Sequence, residues 1–526
     1  MISDNIKKIF QEPTVLFIVI LCIGVLLRLL MFSGYIGGDD IAYIARAAAM
    51  SQGDLSAPVT HWGSRTLIVL LTTLSISVFG VNDFSITFFP FIFSIGSIIL
   101  SYLIGKQLFD PVTGVFAAFL IAIFPMEVLF ASQLFPYAFI GTLSALCFYL
   151  FLQGEQQESY ILLLFSGVAL GIAYLSRITA LYCLLFFAIY LLYKRQFLVR
   201  YIYFVIGLLG IILIEITYYY LLTGDPLHRL HILMGVRGEI SEAQVESRLG
   251  ITNLGLKWFI EPFLRPIFEQ EIGFIFLLLW PVIFYQAFYQ ASKKNKGVIL
   301  LLLWIVPLFL YINYGSTSPF SYFPHRRLPR YLSVIIVPAM VLIAWHFRSM
   351  KSSRWRNILL SLILVSSTLS LLIDNSPNIT NIEKDIAAYI KENPDDNYLI
   401  SQPLSFGVFY FLGFEEIQRL GIYVSPGDGK GWVPRVVPNV LLYEKLPNDC
   451  RIKIITKMSY INKDYSNGNF RILQRFEEEK NLYNWIKKIM LSSNLISLVR
   501  DSRAVGGLSS QESNAVVLKR DGKECS

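Results

Sequence analysis

Residues 14–43 read TVLFIVILCIGVLLRLLMFSGYIGGDDIAY, an apolar run that is followed by two adjacent aspartates, Asp39 and Asp40. A run of about 20 apolar residues is long enough for a helix to cross the hydrocarbon core of a bilayer. It exceeds the apolar core of a signal peptide and contains Arg28, so we predict a retained first span. An uncompensated carboxylate beside a bilayer is costly, and the acidic pair therefore needs a structural or chemical reason.

The composition is that of an integral membrane protein. Of the 526 residues, 55% are hydrophobic and 16% are charged, and the mean hydropathy is +0.55. Soluble domains carry about 25% charged residues. The net charge of +8 is spread along the chain without a block of Lys or Arg. We therefore expect this charge to orient the spans among membrane lipids, and we expect no nucleic-acid partner.

Apolar runs recur along the first 374 residues and predict an α-helical polytopic membrane protein of about 11 transmembrane helices. They lie at 14–33, 85–105, 112–130, 135–153, 160–176, 179–193, 201–222, 273–291, 298–314, 331–347 and 357–374. With the amino terminus inside, most inner loops are short and basic, as cytoplasmic loops should be. The longer segments then lie outside the cytoplasm of what we expect to be a prokaryotic cell. The apolar, Ser- and Thr-rich stretch 64–80 fits a helix that lies on the membrane surface.

The last 152 residues change character and predict a second domain. We divide the chain into a membrane module, 1–374, and a soluble extracytoplasmic α/β domain, 375–526. Mixed helical and strand periodicity supports this division. The predicted helices are Asn381–Asn393 and Phe476–Met490, and the predicted strands are Tyr398–Ile400, Ile452–Ile455 and Ala515–Leu518. Whether Cys450 and Cys525 form a disulfide in this domain is left open.

The aspartate pair has a structural and a chemical interpretation. Aspartate is a preferred N-cap, and a helix is predicted over Ile41–Met50, with Tyr43 beside the pair. One aspartate suffices for a cap, so we expect the second to have another role. A carboxylate here can act as a general base towards a hydroxyl or amine. Alternatively, Asp39 and Asp40 hold a divalent cation, Mg²⁺ or Mn²⁺, beside a phosphate.

Basic residues at the outer ends of spans point to a phosphate. His325-Arg326-Arg327-Leu328-Pro329-Arg330-Tyr331 places three arginines where the positive-inside trend predicts none. Guanidinium groups bind phosphate in a bidentate manner, although generic contact with lipid headgroups remains an alternative. The segment His61-Trp62-Gly63-Ser64-Arg65 offers a further cation under the same two interpretations. Arg177 follows an apolar run and either lines a cavity or extends towards the interface.

Several motifs together resemble one family of membrane enzymes. The first span ends in Arg28-Leu29-Leu30 and is followed by Asp-Asp-x-x-Tyr, and the further motifs keep the family order. They are Phe79-Gly80-Val81-Asn82, Gly105-Lys106-Gln107-Leu108-Phe109, Phe124-Pro125 with Leu134-Phe135-Pro136, Tyr220–Pro226 and Arg330-Tyr331-Leu332. The set, which covers about residues 1–350, resembles the GT-C membrane glycosyltransferases. The protein O-mannosyltransferase and lipid A aminoarabinose transferase-like enzymes (glycosyltransferase families 39 and 83) are the most similar.

The resemblance implies roles for individual residues. Asp39 matches the position of the family's catalytic acid, with Asp40 beside it. Arg330 and Tyr331 match an Arg-Tyr motif, which makes Arg330 the preferred donor-phosphate ligand. Many members carry a second acid where this chain has Tyr137.

Glu127 either substitutes for that missing acid or faces the headgroups. Arg65 is adjacent to Ser64, which occupies the position of a family lysine. Without a second acid, the family's metal requirement is in doubt for this chain.

The implied reaction is transfer of a sugar from a polyprenyl- or dolichyl-phosphate donor to a lipid, glycan or protein acceptor on the outer face, with inversion. Two other classes remain open. A transporter or lipid flippase would show charges at mid-membrane and two related halves. An O-antigen polymerase or ligase-type enzyme would depend on arginines in large outer loops rather than on acids after the first span.

Overall fold

The computed structural model of the chain describes residues 12–195, 199–238, 255–264, 273–290, 295–316, 322, 324–325, 327–373, 380–414, 420–424, 441–443, 452–457, 470–476 and 515–520. These residues form two compact units. The first unit contains the described residues up to Phe32, together with Ser56–Ile68 and Phe89–Leu372. The second unit contains Ser33–Leu55, Val69–Phe88 and the described residues from Ile373 onward. The predicted domain division at 374/375 stays a prediction.

The chain is mainly helical, as predicted. The helices, including short 3-10 and π segments, are Pro13–Leu30, Asp40–Ser51, Thr66–Phe79, Asp83–Leu108, Pro111–Ile123, Pro125–Leu129, Phe130–Ser132, Pro136–Gln156, Tyr160–Ser176, Ile178–Cys183, Leu184–Lys194, Tyr201–Thr223, His228–Gly238, Leu256–Leu264, Gly273–Tyr285, Gln286–Gln290, Lys296–Tyr314, Pro329–Leu332, Ser333–Ser349, Ser353–Ile373, Asn381–Glu392 and Gln402–Phe411. Each apolar run predicted from the sequence is largely helical. The helix Thr66–Phe79 forms where a surface helix was predicted.

Seven helices in the described part of the chain are long and apolar enough to cross a membrane. They are Pro13–Leu30, Asp83–Leu108, Pro136–Gln156, Tyr201–Thr223, Lys296–Tyr314, Pro329–Ser349 and Ser353–Leu372. The predicted class, an α-helical polytopic membrane protein, is confirmed, whereas the count of 11 spans stays a prediction.

One further apolar segment is broken in the middle. Pro111–Ile123 and Pro125–Ser132 meet at an angle of 64°. The break lies at Phe124, which is extended with ψ of 120°. Proline has no N–H to donate, and its ring disfavours helical backbone in the preceding residue. The bend thus follows from Pro125 and sets the position of the short helix that carries Glu127.

Glycine allows two helices of the first unit to pack closely. A Cβ atom at Gly167, in helix Tyr160–Ser176, would overlap with the backbone oxygen of Phe204. A Cβ atom at Gly207, in helix Tyr201–Thr223, would overlap with the backbone oxygen of Leu164. Small residues that bring helix backbones together are typical of packing within membranes.

The second unit contains a six-stranded sheet in the order β3-β2-β1-β4-β6-β5. The strands are β1 (Asn397–Ser401), β2 (Leu420–Tyr423), β3 (Leu441–Tyr443), β4 (Ile452–Lys457), β5 (Phe470–Phe476) and β6 (Ala515–Arg520). Strands β1 to β4 pair in parallel, while β6 runs antiparallel to both β4 and β5. One face packs a core of Leu399, Tyr423, Ile454, Val516 and Leu518.

The predicted α/β character of the tail is confirmed. The three predicted strands lie within β1, β4 and β6, and the predicted amphipathic helix is Asn381–Glu392, which buries Ile382, Ile386, Ala387 and Ile390. The predicted helix Phe476–Met490 is wrong at its first residue, because Phe476 ends β5 and pairs with Ala515. The rest of that helix, as well as Cys450 and Cys525, lies outside the described residues.

Replacing Gly207 by Ala is expected to destabilise the first unit by about 1–3 kcal/mol, because the added methyl group has to displace backbone. Gly210→Ala, on the same helix, meets nothing within 4 Å and serves as the control. Thermal unfolding in detergent micelles measures the difference. An equal Tm for the two variants would contradict the close packing.

Candidate active site

The buried carboxylate of Asp40 closes the turn that precedes it. Its Oδ2 accepts a hydrogen bond from the N–H of Ile36 at 2.8 Å, and its Oδ1 accepts one from the N–H of Gly38 at 2.5 Å. The side chain is fully buried. Burial raises the pKa of Asp40 to about 6, while the backbone N–H groups of the turn oppose that rise. Asp40 thus holds the backbone of residues 36–40 in one conformation.

Asp39 differs from its neighbour in its burial and in its hydrogen bonds. It occupies the N-cap position of helix Asp40–Ser51, yet its side chain makes no capping hydrogen bond. Its carboxylate is half-buried, and none of the residues that the structure describes forms a hydrogen bond or ion pair with it. The cap interpretation therefore does not account for the Asp39 side chain. Tyr43, predicted to lie near the pair, is fully buried in the same helix.

The predicted Mg²⁺ or Mn²⁺ site was compared with the carboxylates in the described part of the chain. Both oxygens of Asp40 already accept backbone N–H groups. Among the described residues, no group of three or more His, Cys, Asp or Glu side chains is placed to hold a metal ion. The Mg²⁺ or Mn²⁺ site on Asp39 and Asp40 therefore stays a prediction, and we assign no step of the reaction to a metal.

Four of the predicted residues meet in an aromatic cluster of the first unit. The Nη1 of Arg177 donates to the hydroxyl of Tyr137 at 2.9 Å, and its guanidinium lies 4.2 Å from the ring centre of Tyr331. The guanidinium of Arg330 lies 5.6 Å from the ring of Tyr137 and 5.8 Å from that of Phe135. An aromatic face stabilises a cation and, unlike a carboxylate, adds no negative charge that would neutralise it.

Among the described residues, no carboxylate forms a salt bridge with Arg177 or Arg330. The cluster therefore carries a positive charge. The Nε of Arg330 is buried without a hydrogen-bond partner, which leaves a donor for an added group. Arg65 is 8% exposed, and its charge acts on both Tyr137 and Tyr331. We call Arg65, Tyr137, Arg177, Arg330 and Tyr331 the cationic cluster. Its chemistry suits an anion such as a phosphate.

The other predicted cations are used differently. Arg327 donates to the carboxylate of Glu261 at 2.7 Å and to the backbone oxygens of Trp258 at 2.8 Å and Asn313 at 3.0 Å. Its guanidinium is therefore engaged with the protein, which ties the helix Leu256–Leu264 to the end of helix Lys296–Tyr314. Arg326 lies outside the described residues.

His61 stacks on Trp62 with ring centres 3.8 Å apart. The segment that carries both residues is held by the polar network around Glu215. Glu215 forms a buried ion pair with Arg229 at 2.6 Å and accepts from the hydroxyl of Thr66 at 3.0 Å. Thr66 directly follows Arg65, so this network holds Arg65 in place. Glu215 is the one acidic residue of the predicted span 201–222. This position could have indicated the network from the sequence, but it was not used as a signal.

The side chain of Glu127 is buried inside the first unit. The interpretation that it faces lipid headgroups is therefore wrong. Glu127 is 5% exposed, and its Oε2 accepts from the hydroxyl of Ser97 at 2.7 Å. Its backbone oxygen accepts from Ser94, whose hydroxyl also accepts from the fully buried Arg28 at 2.8 Å. Ser94 thereby links Glu127 to Arg28. Glu127 therefore belongs to the packed polar interior of the first unit.

Comparison with known proteins gives one family match and several structural matches. Residues 66–220 match the family model described as dolichyl-phosphate-mannose-protein mannosyltransferase. The comparison with curated proteins found no match. Apo ArnT from Cupriavidus metallidurans superposes with a TM-score of 0.61 at 12% identity, covering 87% of this chain and 95% of that one.

Two further solved structures share this architecture. ArnT bound to undecaprenyl phosphate gives a TM-score of 0.57 at 12% identity over 88% of this chain and 96% of that one. The Archaeoglobus fulgidus oligosaccharyltransferase with a tethered acceptor peptide gives a TM-score of 0.50 at 13% identity over 84% and 69%. Identities this low show the fold alone. The matches confirm the GT-C fold and, with the family model, the predicted class of enzyme, a glycosyltransferase.

Asp40→Asn is expected to lower Tm, because an amide cannot accept both N–H groups; leaving one buried donor unpaired costs about 1–3 kcal/mol. Folding raises the pKa of Asp40 from 3.8 to about 6. The stability that the wild-type side chain contributes is therefore complete below about pH 4 and is lost as the pH rises through about 6, a change of about 3 kcal/mol. The gap in Tm between wild type and variant should accordingly shrink between pH 4 and pH 7.

The control for this experiment is Asp39→Asn, which removes no hydrogen bond and should leave Tm unchanged. An Asp40→Asn protein that is as stable as wild type at pH 4 would show that the carboxyl group of Asp40 does not close the turn.

Proposed function

We propose that this glycosyltransferase moves a sugar from a polyprenyl-phosphate donor to an acceptor on the extracytoplasmic face, with Asp39 as general base. The observation that carries the proposal is the difference between the two aspartates. Asp40 is fully buried and bonded to the turn, whereas the carboxylate of Asp39 is half-buried and has no described partner. A general base has to be held in place by its surroundings while its own oxygens stay available to the acceptor.

The donor class is supported by two findings. The family model that matches residues 66–220 is named for a dolichyl-phosphate sugar donor, and ArnT, which shares the fold, is bound to undecaprenyl phosphate in one structure. Both compounds are lipid phosphates. We assign the donor phosphate to the cationic cluster, with Arg330 as principal ligand and with Arg65 and Arg177 adding positive charge.

The reaction we propose is a single displacement. The acceptor hydroxyl or amine attacks the anomeric carbon of the sugar while Asp39 takes the proton from the attacking atom. The bond between the anomeric carbon and the phosphate oxygen breaks, and the polyprenyl phosphate leaves with the electron pair. Attack from the side opposite to the leaving group inverts the anomeric configuration. Positive charge at the phosphate stabilises the leaving group as its negative charge develops.

The acceptor is proposed only as a class. The oligosaccharyltransferase of similar fold carries a peptide acceptor, which is one of the three kinds considered, namely lipid, glycan and protein. All three can present a hydroxyl or amine to a general base, so the proposed chemistry is the same for each.

Asp39→Asn is expected to reduce transfer by about 10²–10⁴-fold, which is the usual contribution of a general base. Purified protein in lipid nanodiscs, supplied with a panel of undecaprenyl-phosphate sugars and membrane extract as acceptor, gives the rate through release of undecaprenyl phosphate. The matched control is Asp54→Asn. Asp54 lies just after the helix Asp40–Ser51, and its carboxylate pairs with Arg46 at 3.4 Å. Unchanged transfer by Asp39→Asn would reject Asp39 as the general base.

Arg330→Gln is expected to weaken binding of undecaprenyl phosphate about 10–100-fold, since hydrogen bonds to charged groups contribute about 1.5–3 kcal/mol. Arg330→Lys should recover only part of this loss, because lysine lacks the planar fork of donors. Lys351→Gln, which removes an exposed cation after helix Ser333–Ser349, is the control for net charge. Equal affinities of the Arg330→Gln and Lys351→Gln proteins would exclude Arg330 as a phosphate ligand.

A further inference from the structure

Asp83 begins the helix Asp83–Leu108 but does not cap it. The preceding residue, Asn82, caps the helix instead, since its Oδ1 accepts from the N–H of Ser85 at 2.9 Å and its own N–H donates to the Ser85 hydroxyl at 3.2 Å. The carboxylate of Asp83 is therefore left to accept hydrogen bonds from other segments. Its position at a helix amino terminus favours the negative charge.

The groups that Asp83 contacts come from distant parts of the second unit. Its Oδ1 accepts from the backbone N–H of Tyr35 at 3.1 Å and from the hydroxyl of Tyr410 at 2.9 Å. Its Oδ2 pairs with the ammonium of Lys384 at 3.3 Å. Gly34 has φ of +74°, and a Cβ atom there would lie 2.5 Å from the Asp83 Cγ. The turn before Asp39 thus crosses directly over this carboxylate, and only glycine fits at that point.

The α/β part of the second unit binds the same turn independently. The backbone oxygen of Tyr35 accepts from the hydroxyl of Thr380 at 3.0 Å. The ring of Tyr35 lies 4.8 Å from that of Tyr410 and 5.8 Å from that of Phe411. Burial and the charge of Asp83 raise the pKa of Tyr410 well above its usual value, so its hydroxyl stays protonated and donates.

The turn is consequently anchored on both sides of its glycine pair. Asp83 and Thr380 bind the backbone of Tyr35, and Asp40 binds the N–H groups of Ile36 and Gly38. The next residue along the chain is Asp39, whose carboxylate is unengaged. A catalytic group has to be held to within a fraction of an ångström, and a misplacement of about 1 Å costs about 100-fold in rate.

We propose that Asp83 is a positioning residue for Asp39, and that the helices Asn381–Glu392 and Gln402–Phe411 of the tail serve the same purpose through Lys384 and Tyr410. The tail then holds the base in place through contacts within the second unit. This inference rests on the proposed role of Asp39.

The first test compares three variants of this network: Asp83→Asn, which weakens all three contacts of the carboxylate, and Lys384→Met and Tyr410→Phe, which each remove one of them. We expect kcat for release of undecaprenyl phosphate to fall about 10–100-fold in Asp83→Asn and about 3–10-fold in the other two, with KM for the donor unchanged. Tyr410→Phe keeps the ring packing and removes only the hydroxyl, so it reports on the network even if Asp83→Asn does not fold.

The matched control is Lys391→Met, on the same helix as Lys384. Its ammonium donates to the backbone oxygen of Phe411 at 3.1 Å and does not contact the turn. This variant should retain the wild-type kcat. If Lys384→Met and Tyr410→Phe are as active as Lys391→Met, the positioning role is overturned. A rise in KM with unchanged kcat would also overturn it.

The second test combines Asp83→Asn with Asp39→Asn. A residue that acts only through Asp39 should lower the rate of the wild type but not the residual rate of the Asp39→Asn protein. An additional loss of 10-fold or more, of about the size seen in the wild-type background, would show a merely structural role and overturn the inference. Full activity of Asp39→Asn alone would instead reject the proposed function and the inference together.

Discussion

A charge that is removed from water has to be compensated by hydrogen bonds or by an opposite charge, and this constraint organises the polar interior of the protein. Arg28 is fully buried and donates to a serine and to two backbone oxygens, while Glu215 and Arg229 compensate each other in an ion pair of 2.6 Å. Asp40 satisfies the same requirement with the N–H groups of its own turn. Each of these groups thereby orders the segment that supplies its partners.

The same constraint identifies the groups that remain available for chemistry. The guanidinium of Arg330 lies over the rings of Tyr137 and Phe135. Its Nε is buried and has no hydrogen-bond partner. Asp39 is half-buried and keeps both oxygens free of described partners. Aromatic faces and ordered backbone hold such groups without neutralising them. The reaction proposed above requires both kinds of group, a cation for the leaving phosphate and a general base for the acceptor.

Sequence reasoning was reliable where apolar length and periodicity decide the outcome. The apolar helices, the α/β character of the tail and three of its strands were predicted, because burial patterns of period 2 and 3.6 are local. The helix over Phe476–Met490 was wrong at Phe476 because strand pairing with β6 outweighs a local helical pattern there. The ion pair of Arg327 could not be predicted from the sequence, because its partner Glu261 is 66 residues away.

The acidic pair shows most clearly what each level decides. The order of residues alone indicates that two carboxylates follow the first span and resemble a catalytic motif, because both features are local. Only the tertiary structure separated the two, since the contacts that engage Asp40 and leave Asp39 free depend on backbone conformation. It also revealed that Tyr35, Lys384 and Tyr410 meet at Asp83, although 48 residues separate Asp83 from Tyr35 and 327 separate it from Tyr410. Such distant contacts carry no periodic signal in a single sequence, because they form only when the chain folds.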